Sequence, residues 1–315
     1  MRLLFFGTPD FAVPTLERLL DGAHQVVGVV TQPDRPRGRG RRPSPSPVAA
    51  CAERAGIPIF RPEKVGTPEV AAELAQSAPD LGVVVAFGQF LPKRIRELPA
   101  RGYLINGHAS LLPRHRGAAP IAHALLAGDE ETGVSVMRVE REMDAGPVAL
   151  MKRTPIGAEE SCGELTGRIA ALTAEAIAGC LDAIEEGSVV WTEQDPALAT
   201  VAPKIEREDA LLDWREPAEA LVRRVRAMAP RPGAFTRWEG EPLRILAATD
   251  EAGDVDRAPG TVRRRPVLAV ATGRGWLLPR TLQRAGGKAL ATEAFLRGRD
   301  LPDGTLLGPG DEVAA

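Results

Sequence analysis

The chain has 315 residues, of which 44% are hydrophobic and 26% are charged, and its formal net charge is −2. This length allows two domains with hydrophobic cores, and the sequence contains no run of about 18 apolar residues that would predict a membrane span. The first residues show no secretory cleavage pattern, and the three cysteines show no metal-ligand spacing. We therefore expect a cytoplasmic protein that has neither a membrane nor DNA as a partner.

The first part of the chain alternates short apolar strands with helices. Strands are predicted at 2–6, 25–31, 57–60, 81–87, 103–108, 133–139 and 147–152. Helices are predicted at 14–20, 48–56, 69–76, 118–127 and 162–186. Several strands are apolar on both faces, which is typical of a sheet covered by helices on each side. We therefore predict an α/β domain at 1–190 with a mostly parallel, doubly wound sheet.

The pattern changes in the last third of the chain. Residues 191–208 are polar and contain prolines, which predicts an irregular linker. The remaining residues, 209–315, begin with one predicted helix and continue as short strands that glycine and proline punctuate, which indicates a small β-barrel domain. The helix is predicted at 217–228, and the strands at 234–238, 243–247, 260–263, 267–271 and 276–279.

An asparagine and a histidine lie two residues apart at the end of one predicted strand. Residues i and i+2 of a strand point to the same face, so Asn106 and His108 are expected to project together. A side-chain amide and an imidazole can both stabilise an oxyanion, and an imidazole can also carry a proton. Asp144 adds a carboxylate from a second loop. The three groups predict acyl transfer without a covalent enzyme intermediate.

Each of these side chains also has a structural interpretation when it is taken alone. His108 fits an ordinary buried histidine, Asn106 a hydrogen bonder at a strand end, and Asp144 a turn residue. A zinc site that combines His108 and Asp144 with His115 is disfavoured because no short-spaced ligand pair is present, so no metal is predicted. Ser110 lacks the Gly-x-Ser-x-Gly pattern of an activated nucleophile, and the chain has neither a P-loop nor a dinucleotide-binding motif.

Residues 33–47 are rich in proline, arginine, glycine and serine, which predicts an irregular and mobile loop. Arginine suits bidentate contacts with phosphate, and two further basic clusters lie at 223–226 and 263–265. Three such clusters on a nearly neutral chain favour a polyanionic partner, although a merely solvated loop remains the competing interpretation. The arginines of the loop are Arg35, Arg37, Arg39, Arg41 and Arg42.

These motifs resemble the methionyl-tRNA formyltransferase family over essentially the whole chain. The resemblance is carried by residues 6–11, 31–36, 38–40, 45–48, 85–88, 106–121 and 143–146. It implies a Rossmann-like formyl-transfer domain followed by a linker and an OB-like, tRNA-binding barrel. It also implies a reaction in which the formyl group of 10-formyltetrahydrofolate passes to the α-amine of methionine on initiator tRNA, for translation initiation.

The resemblance also implies roles for individual residues. Asn106 and His108 would hydrogen-bond the developing oxyanion, and Asp144 would orient His108 and help to move the amine proton. The arginines of the 33–47 loop would bind the tRNA. The residues implied to contact folate are Phe87, Gly88, Ser110, Leu111, Leu112 and Pro113.

Three positions depart from the family pattern. Gly107 replaces a branched apolar residue, Phe87 replaces a common tyrosine, and Pro147 replaces a common acid. Glycine weakens strands, so Gly107 is expected to loosen the strand that carries Asn106 and His108. Two other functions stay open, namely a folate-dependent formyltransferase that acts on a nucleotide sugar or glycinamide ribonucleotide, and a non-catalytic tRNA-binding homologue.

Overall fold

The structure is a computed structural model that describes residues 1–37 and 42–308. The chain divides into two compact units. The first contains residues 1–120, 131–155 and 166–203, and the second contains residues 121–130, 156–165 and 204 onward. The domain boundaries that we predicted at residues 190 and 208 stay predictions, because this division interleaves segments of the two halves.

Strands and helices alternate through the first part of the chain. The strands are β1 Arg2–Gly7, β2 Gln25–Val30, β3 Arg35–Arg37, β4 Arg42–Ser44, β5 Ile59–Phe60, β6 Leu81–Val85, β7 Leu104–His108, β8 Glu131–Arg138 and β9 Val148–Pro155. The helices are α1 Val13–Leu20, α2 Pro47–Arg54, α3 Pro68–Ala75, α4 Lys93–Arg96, α5 Pro120–Ala127 and α6 Cys162–Glu186. The short helix α4 was not predicted.

The main sheet has the order β5-β2-β1-β6-β7-β8-β9 in the described part of the chain. The first five of these strands run parallel, β8 pairs antiparallel with β7, and β9 pairs antiparallel with β8, so β8 alone runs against the other described strands of this sheet. The α/β, Rossmann-like prediction is therefore confirmed. Strand order reverses between β1 and β6, and ligands of such sheets bind in the crevice beyond the strand ends at this point.

Local sequence explains where two of the helices begin. Ser46 precedes α2 and its hydroxyl accepts a hydrogen bond from the Ala49 N–H at 3.0 Å. Thr67 caps α3 in the same way, through the N–H of Val70. In both helices proline occupies the first helical position, where its missing N–H costs nothing because that group has no intrahelical partner.

The loop predicted to be irregular at 33–47 contains regular structure. Strands β3 and β4 pair antiparallel, with Arg35 opposite Ser44 and Pro36 opposite Pro43. The two prolines lie opposite each other, so the N–H groups that both lack belong to a single residue pair. The residue pairs on either side keep their N–H groups for hydrogen bonds between the strands. The prediction was wrong for residues 35–37 and 42–44. Arg39 and Arg41 lie outside the described residues.

The second unit contains an antiparallel sheet of order β10-β11-β14-β13-β12, with β15 paired to β14. The C-terminal segment bridges both edges of this sheet, because Gly308 pairs with Arg237 and Leu306 pairs with Thr261. A smaller β domain is thus confirmed. Its elements are α7 Ala218–Met228, β10 Ala234–Trp238, β11 Glu241–Glu251, β12 Val262–Arg263, β13 Ala269–Ala271, β14 Trp276–Arg284, β15 Leu290–Ala291 and α8 Thr292–Gly298.

Strand β14 is longer than predicted. The sequence prediction ended at Pro279, but the strand continues to Arg284. Pro279 lies opposite Ala248, next to an irregularity in the register of β11, and a proline without an N–H is tolerated at such a position. The elements β15 and α8 that follow were not predicted.

Candidate functional site

Strand β7 places Asn106 and His108 on the same face of the sheet. Gly107, between them, faces helix α6, where an added Cβ would lie 2.6 Å from Cγ2 of the buried Thr173. A side chain at position 107 therefore has no room. The glycine permits the close approach of α6, and the carboxamide and the imidazole project from the opposite face.

The imidazole of His108 is buried between two hydrogen-bond acceptors. Its Nε2 lies 2.9 Å from the carbonyl oxygen of His115, and its Nδ1 lies 3.5 Å from Oδ2 of Asp144. A carbonyl oxygen only accepts, so Nε2 carries a hydrogen in this arrangement. The carboxylate is within ion-pairing range but beyond the usual length of a direct hydrogen bond. His108 can donate to a substrate only by exchanging one of these contacts.

Asn106 contrasts with His108. The side chain is half-buried, and its carboxamide forms no hydrogen bond with the residues that the structure describes. An amide group held on a strand without a protein partner retains its N–H donors for a ligand.

Asp144 occupies a strained loop position. Its φ of 53° lies in the left-handed region, which aspartate adopts more readily than most residues. One carboxylate oxygen, Oδ2, accepts a hydrogen bond from the N–H of Gly117 at 2.9 Å. The same oxygen is the one nearest to His108, so the Gly117 contact fixes the carboxylate that faces the imidazole.

Gln194 contacts the loop that carries Asp144, although no motif in the sequence indicates it. Its Nε2 donates to the carbonyl oxygens of Asp144 at 2.8 Å and Gly146 at 2.7 Å. Its Oε1 accepts from Arg116 Nε at 3.0 Å and Nη2 at 2.8 Å. Gln194 lies in the segment predicted as a linker, and a polar composition gives no signal that would single out one of its residues.

The same segment pairs with the loop that follows β7. Thr200 accepts the N–H of His115 through its hydroxyl at 2.9 Å, and its carbonyl accepts the N–H of Arg116 at 2.8 Å. The N–H of Ala202 donates back to the carbonyl of Arg116 at 2.7 Å. Residues 191–208 are otherwise irregular, apart from a single 3-10 turn at Pro196–Leu198 and the first residue of a second turn at 208.

The residues predicted to contact folate lie at two strand ends. The Phe87 ring is buried against Phe6, with ring centroids 5.5 Å apart and an edge-to-face geometry. The carbonyl oxygen of Phe87 accepts the Thr8 hydroxyl at 2.9 Å, and Gly88 follows with a φ of 85°. The Phe87 ring therefore packs in the core, and the Phe87 backbone lies beside Thr8, the residue that follows β1.

The turn at Ser110–Pro113 is internally braced. The Ser110 hydroxyl donates to the carbonyl oxygen of Arg114 at 2.6 Å, and Ser110 itself is fully buried. Leu112 is buried with Met137 and Val148. Leu111 and Pro113 are only half-buried, so these two residues leave surface that a ligand can contact.

The two basic clusters of the second unit are engaged inside it. Arg224 pairs with Glu216 at 2.9 Å, and Arg226 donates to the carbonyl of Gly157 at 2.6 Å. Arg263 pairs with Glu251 at 2.7 Å. Several of the clustered arginines therefore already have partners within the protein. Their presence in the sequence is thus weaker support for a polyanionic partner than their number suggested. Arg35 in the 33–47 loop is exposed, and the backbone of Arg37 and Arg42 lies in the β3–β4 ribbon.

Two other kinds of site are absent from the described part of the chain. Within residues 1–37 and 42–308, no three His, Cys, Asp or Glu residues are grouped so as to hold a metal ion. In the same ranges, no helix has the length and apolar character required to cross a membrane.

Comparisons with known proteins identify formyltransferases along most of the chain. Residues 1–181 match the family "Formyl transferase", and residues 204–300 match "Formyl transferase, C-terminal domain". Methionyl-tRNA formyltransferase from Geotalea uraniireducens (strain Rf4) is 44% identical over 313 residues, which cover 99% of each chain. The enzyme of the same name from Roseiflexus castenholzii (strain DSM 13941 / HLO8) is also 44% identical, over 98% of this chain and 99% of its own.

One solved structure extends the comparison to the fold. The sugar 3N-formyl transferase WlaRD, crystallised in the presence of dTDP and 5-N-formyl-THF, has a TM-score of 0.65 and 15% identity. The match covers 91% of this chain and 99% of that protein, and at this identity it shows a shared fold alone. The family models and the full-length relatives decide the membership: this chain belongs to the methionyl-tRNA formyltransferase family.

Proposed function

We propose that this chain transfers the formyl group of 10-formyltetrahydrofolate to the α-amine of methionine esterified to initiator tRNA, for translation initiation. The observation that carries the proposal is the 44% identity to a methionyl-tRNA formyltransferase over 99% of both chains. The arrangement of Asn106, His108 and Asp144 supplies groups suited to this chemistry.

The proposed reaction is a direct acyl transfer. The neutral amine attacks the formyl carbon, a new C–N bond forms, and the formyl oxygen becomes negative. Asn106 donates a hydrogen bond to this oxygen, and the removal of one such donor typically costs about 10²–10³ in rate. The bond from carbon to the folate nitrogen then breaks, and the proton lost by the amine passes to that nitrogen.

His108 and Asp144 are proposed to stabilise the negative formyl oxygen and to help to move the proton of the attacking amine. When His108 exchanges the His115 carbonyl for the substrate oxygen, its N–H becomes a second oxyanion donor. Asp144 then holds the ring from the Nδ1 side, 3.5 Å away. Its carboxylate stabilises the positive charge that develops when the imidazole or the attacking amine carries an extra proton during the transfer.

Folate is proposed to bind in the crevice at the ends of β1 and β6. Ligands of doubly wound sheets gather there, which favours the backbone of Phe87 and Gly88 as one side of the site. The turn Ser110–Pro113 forms the other side, with Leu111 and Pro113 offering partly exposed apolar surface. Folate is the formyl donor in this scheme and is consumed as a substrate.

The tRNA is proposed to contact the arginine-rich loop and the C-terminal residues 209–315. Phosphates would supply the counter-charge for the clustered arginines. Residues 1–190 would then form the formyl-transfer domain, with 191–208 as the connection. A cytoplasmic location and the lack of DNA among its partners belong to the same proposal; the three cysteines, all in the described residues, form no disulfide.

A sugar substrate is the alternative to test, because WlaRD shares this fold. The experiment incubates the protein and 10-formyltetrahydrofolate with charged initiator methionyl-tRNA, charged elongator methionyl-tRNA, a dTDP-amino sugar or glycinamide ribonucleotide. We expect formylmethionine on the initiator tRNA and negligible transfer to the other three. Transfer to a small amine, or to none of the four, would overturn the proposal.

A further inference from the structure

We infer that Gln194, from the connecting segment, is a positioning residue that fixes Asp144 relative to His108. The inference rests on the proposed function, since it takes Asp144 and His108 as members of the reacting site. It adds a residue that lies fifty positions beyond Asp144 in the chain and outside every motif that the sequence analysis identified.

The carboxamide of Gln194 uses its full hydrogen-bonding capacity at this loop. An amide has two N–H donors and one oxygen with two lone pairs. Both donors go to backbone carbonyls, those of Asp144 and Gly146, and both lone pairs accept from the guanidinium of Arg116. A side chain used this completely holds one orientation, and it joins two separate loops.

These bonds act on both sides of the Asp144 carboxylate. On one side, Gln194 fixes the left-handed backbone of Asp144, which needs its surroundings to persist. On the other side it fixes Arg116, whose neighbour Gly117 donates the N–H that holds Oδ2. Asp144 is therefore held at its main chain and at its side chain by elements that Gln194 ties together.

The rest of the segment supports His108 in a parallel way. Thr200 holds the N–H of His115, and the carbonyl of His115 lies against Nε2 of His108. The connecting segment thus reaches both members of the His108–Asp144 pair. A displacement of about 1 Å in such a site can reduce turnover by about 10², so a residue that touches no substrate can control the rate.

Two substitutions separate the contacts of Gln194. Gln194→Ala removes all four hydrogen bonds. Gln194→Glu keeps an acceptor for Arg116, but places carboxylate oxygens against the carbonyls of Asp144 and Gly146, where donors are required. If Gln194 positions Asp144, both variants should lower kcat by about tenfold or more, with the KM for tRNA and for folate changed less than about twofold.

A double-mutant comparison tests whether Gln194 acts through Asp144. In an Asp144→Asn background, Gln194→Ala should change the single-turnover rate less than about twofold. In an Asn106→Ala background, the same substitution should retain most of its tenfold effect, because Asn106 is not held by Gln194. Gln76→Ala, at an exposed glutamine that follows the last residue of α3, is the matched control and should match the unmodified protein.

The outcomes distinguish this inference from the proposed function. Normal kcat in Gln194→Ala or Gln194→Glu overturns the positioning role, while a large loss in Asp144→Asn leaves the proposed function standing. Equal losses from Gln194→Ala in both backgrounds also overturn it, because they indicate a general structural effect. Normal turnover in Asp144→Asn itself would contradict both the proposed role of Asp144 in the reaction and the positioning role of Gln194.

Discussion

Asp144 Oδ2 and His108 Nδ1 lie 3.5 Å apart, and the main chain beside the pair is held by Gln194 at Asp144 and by Thr200 at His115. The imidazole has the His115 carbonyl on its other nitrogen, and the carboxylate has the N–H of Gly117. The imidazole and the carboxylate therefore lie side by side before any substrate arrives, and His108 has only to exchange the His115 carbonyl for the substrate oxygen to stabilise a developing charge.

Gly107 is expected to be essential for the packing of β7 against α6. Gly107→Ala would place a Cβ 2.6 Å from Cγ2 of Thr173, so we predict a loss of about 1–3 kcal/mol in the free energy of unfolding. Thr173→Ser removes that methyl group and keeps the hydroxyl, and it should restore part of the loss when combined with Gly107→Ala. Denaturant unfolding measures both, and a single mutant as stable as the unmodified protein would refute the packing argument.

The arginine loop is expected to act on tRNA only. Arg39→Ala combined with Arg41→Ala should raise the KM for tRNA and reduce the slope of its salt dependence by about one for each phosphate that is no longer neutralised. The KM for folate should hardly move. The control is Arg18→Ala with Arg94→Ala, two exposed arginines elsewhere. If tRNA kinetics and their salt slope match this control, the loop is a solvated surface feature.

The thiol of Cys180 is expected to be inert in the folded protein. Burial raises the pKa of Cys180 from 9.0 to about 12, and its side chain is 1% exposed. Between those pH values the unfolded chain has lost the proton and the folded chain keeps it, so stability falls as pH rises, by about 1.4 kcal/mol per pH unit. Cys180→Ala should lack this contribution.

The measurement is denaturant unfolding of both proteins at several pH values between 9 and 12. An identical pH dependence in the two proteins would show that Cys180 does not titrate differently on folding. A thiol reagent at pH 8 should also leave Cys180 unmodified until the protein is unfolded.

Within the predicted linker, we expect limited proteolysis to cut residues 203–208 first. The span 191–208 was predicted to be protease-sensitive as a whole, but Gln194 and the backbone pairing of Thr200 and Ala202 hold its first part. A protease of broad specificity, such as proteinase K, should therefore cut residues 203–208, where Lys204 and Arg207 are exposed, before it cuts residues 191–202. Mass spectrometry identifies the site, and cleavage within residues 191–202 before cleavage within 203–208 would contradict the prediction.

Patterns that are local in sequence predicted much of the fold. The long apolar periodicity of α6 gave Cys162–Glu186, and the alternation in β10 gave Ala234–Trp238, both with the bounds that the structure has. The β3–β4 ribbon and the continuation of β14 past Pro279 were missed, because pairing with a neighbouring strand outweighed the unfavourable local residues.

The same distinction applies to the site. Asn106 and His108 could be recognised because two residues of one strand share a face whatever the tertiary structure. Gln194 could not, since its partners Asp144 and Arg116 are 50 and 78 residues away. Such contacts depend on the path of the whole chain, and a polar residue in a polar segment carries no local sign of them.

The most direct test of the account is the rate of formyl transfer to charged initiator methionyl-tRNA under single-turnover conditions, measured for Asn106→Ala, His108→Ala and Asp144→Ala. Each variant should lose at least about 10² in rate while its thermal unfolding stays close to that of the unmodified protein, because each group acts on the charged transition state. A His108→Ala variant that transfers formyl at a near-normal rate would contradict the account.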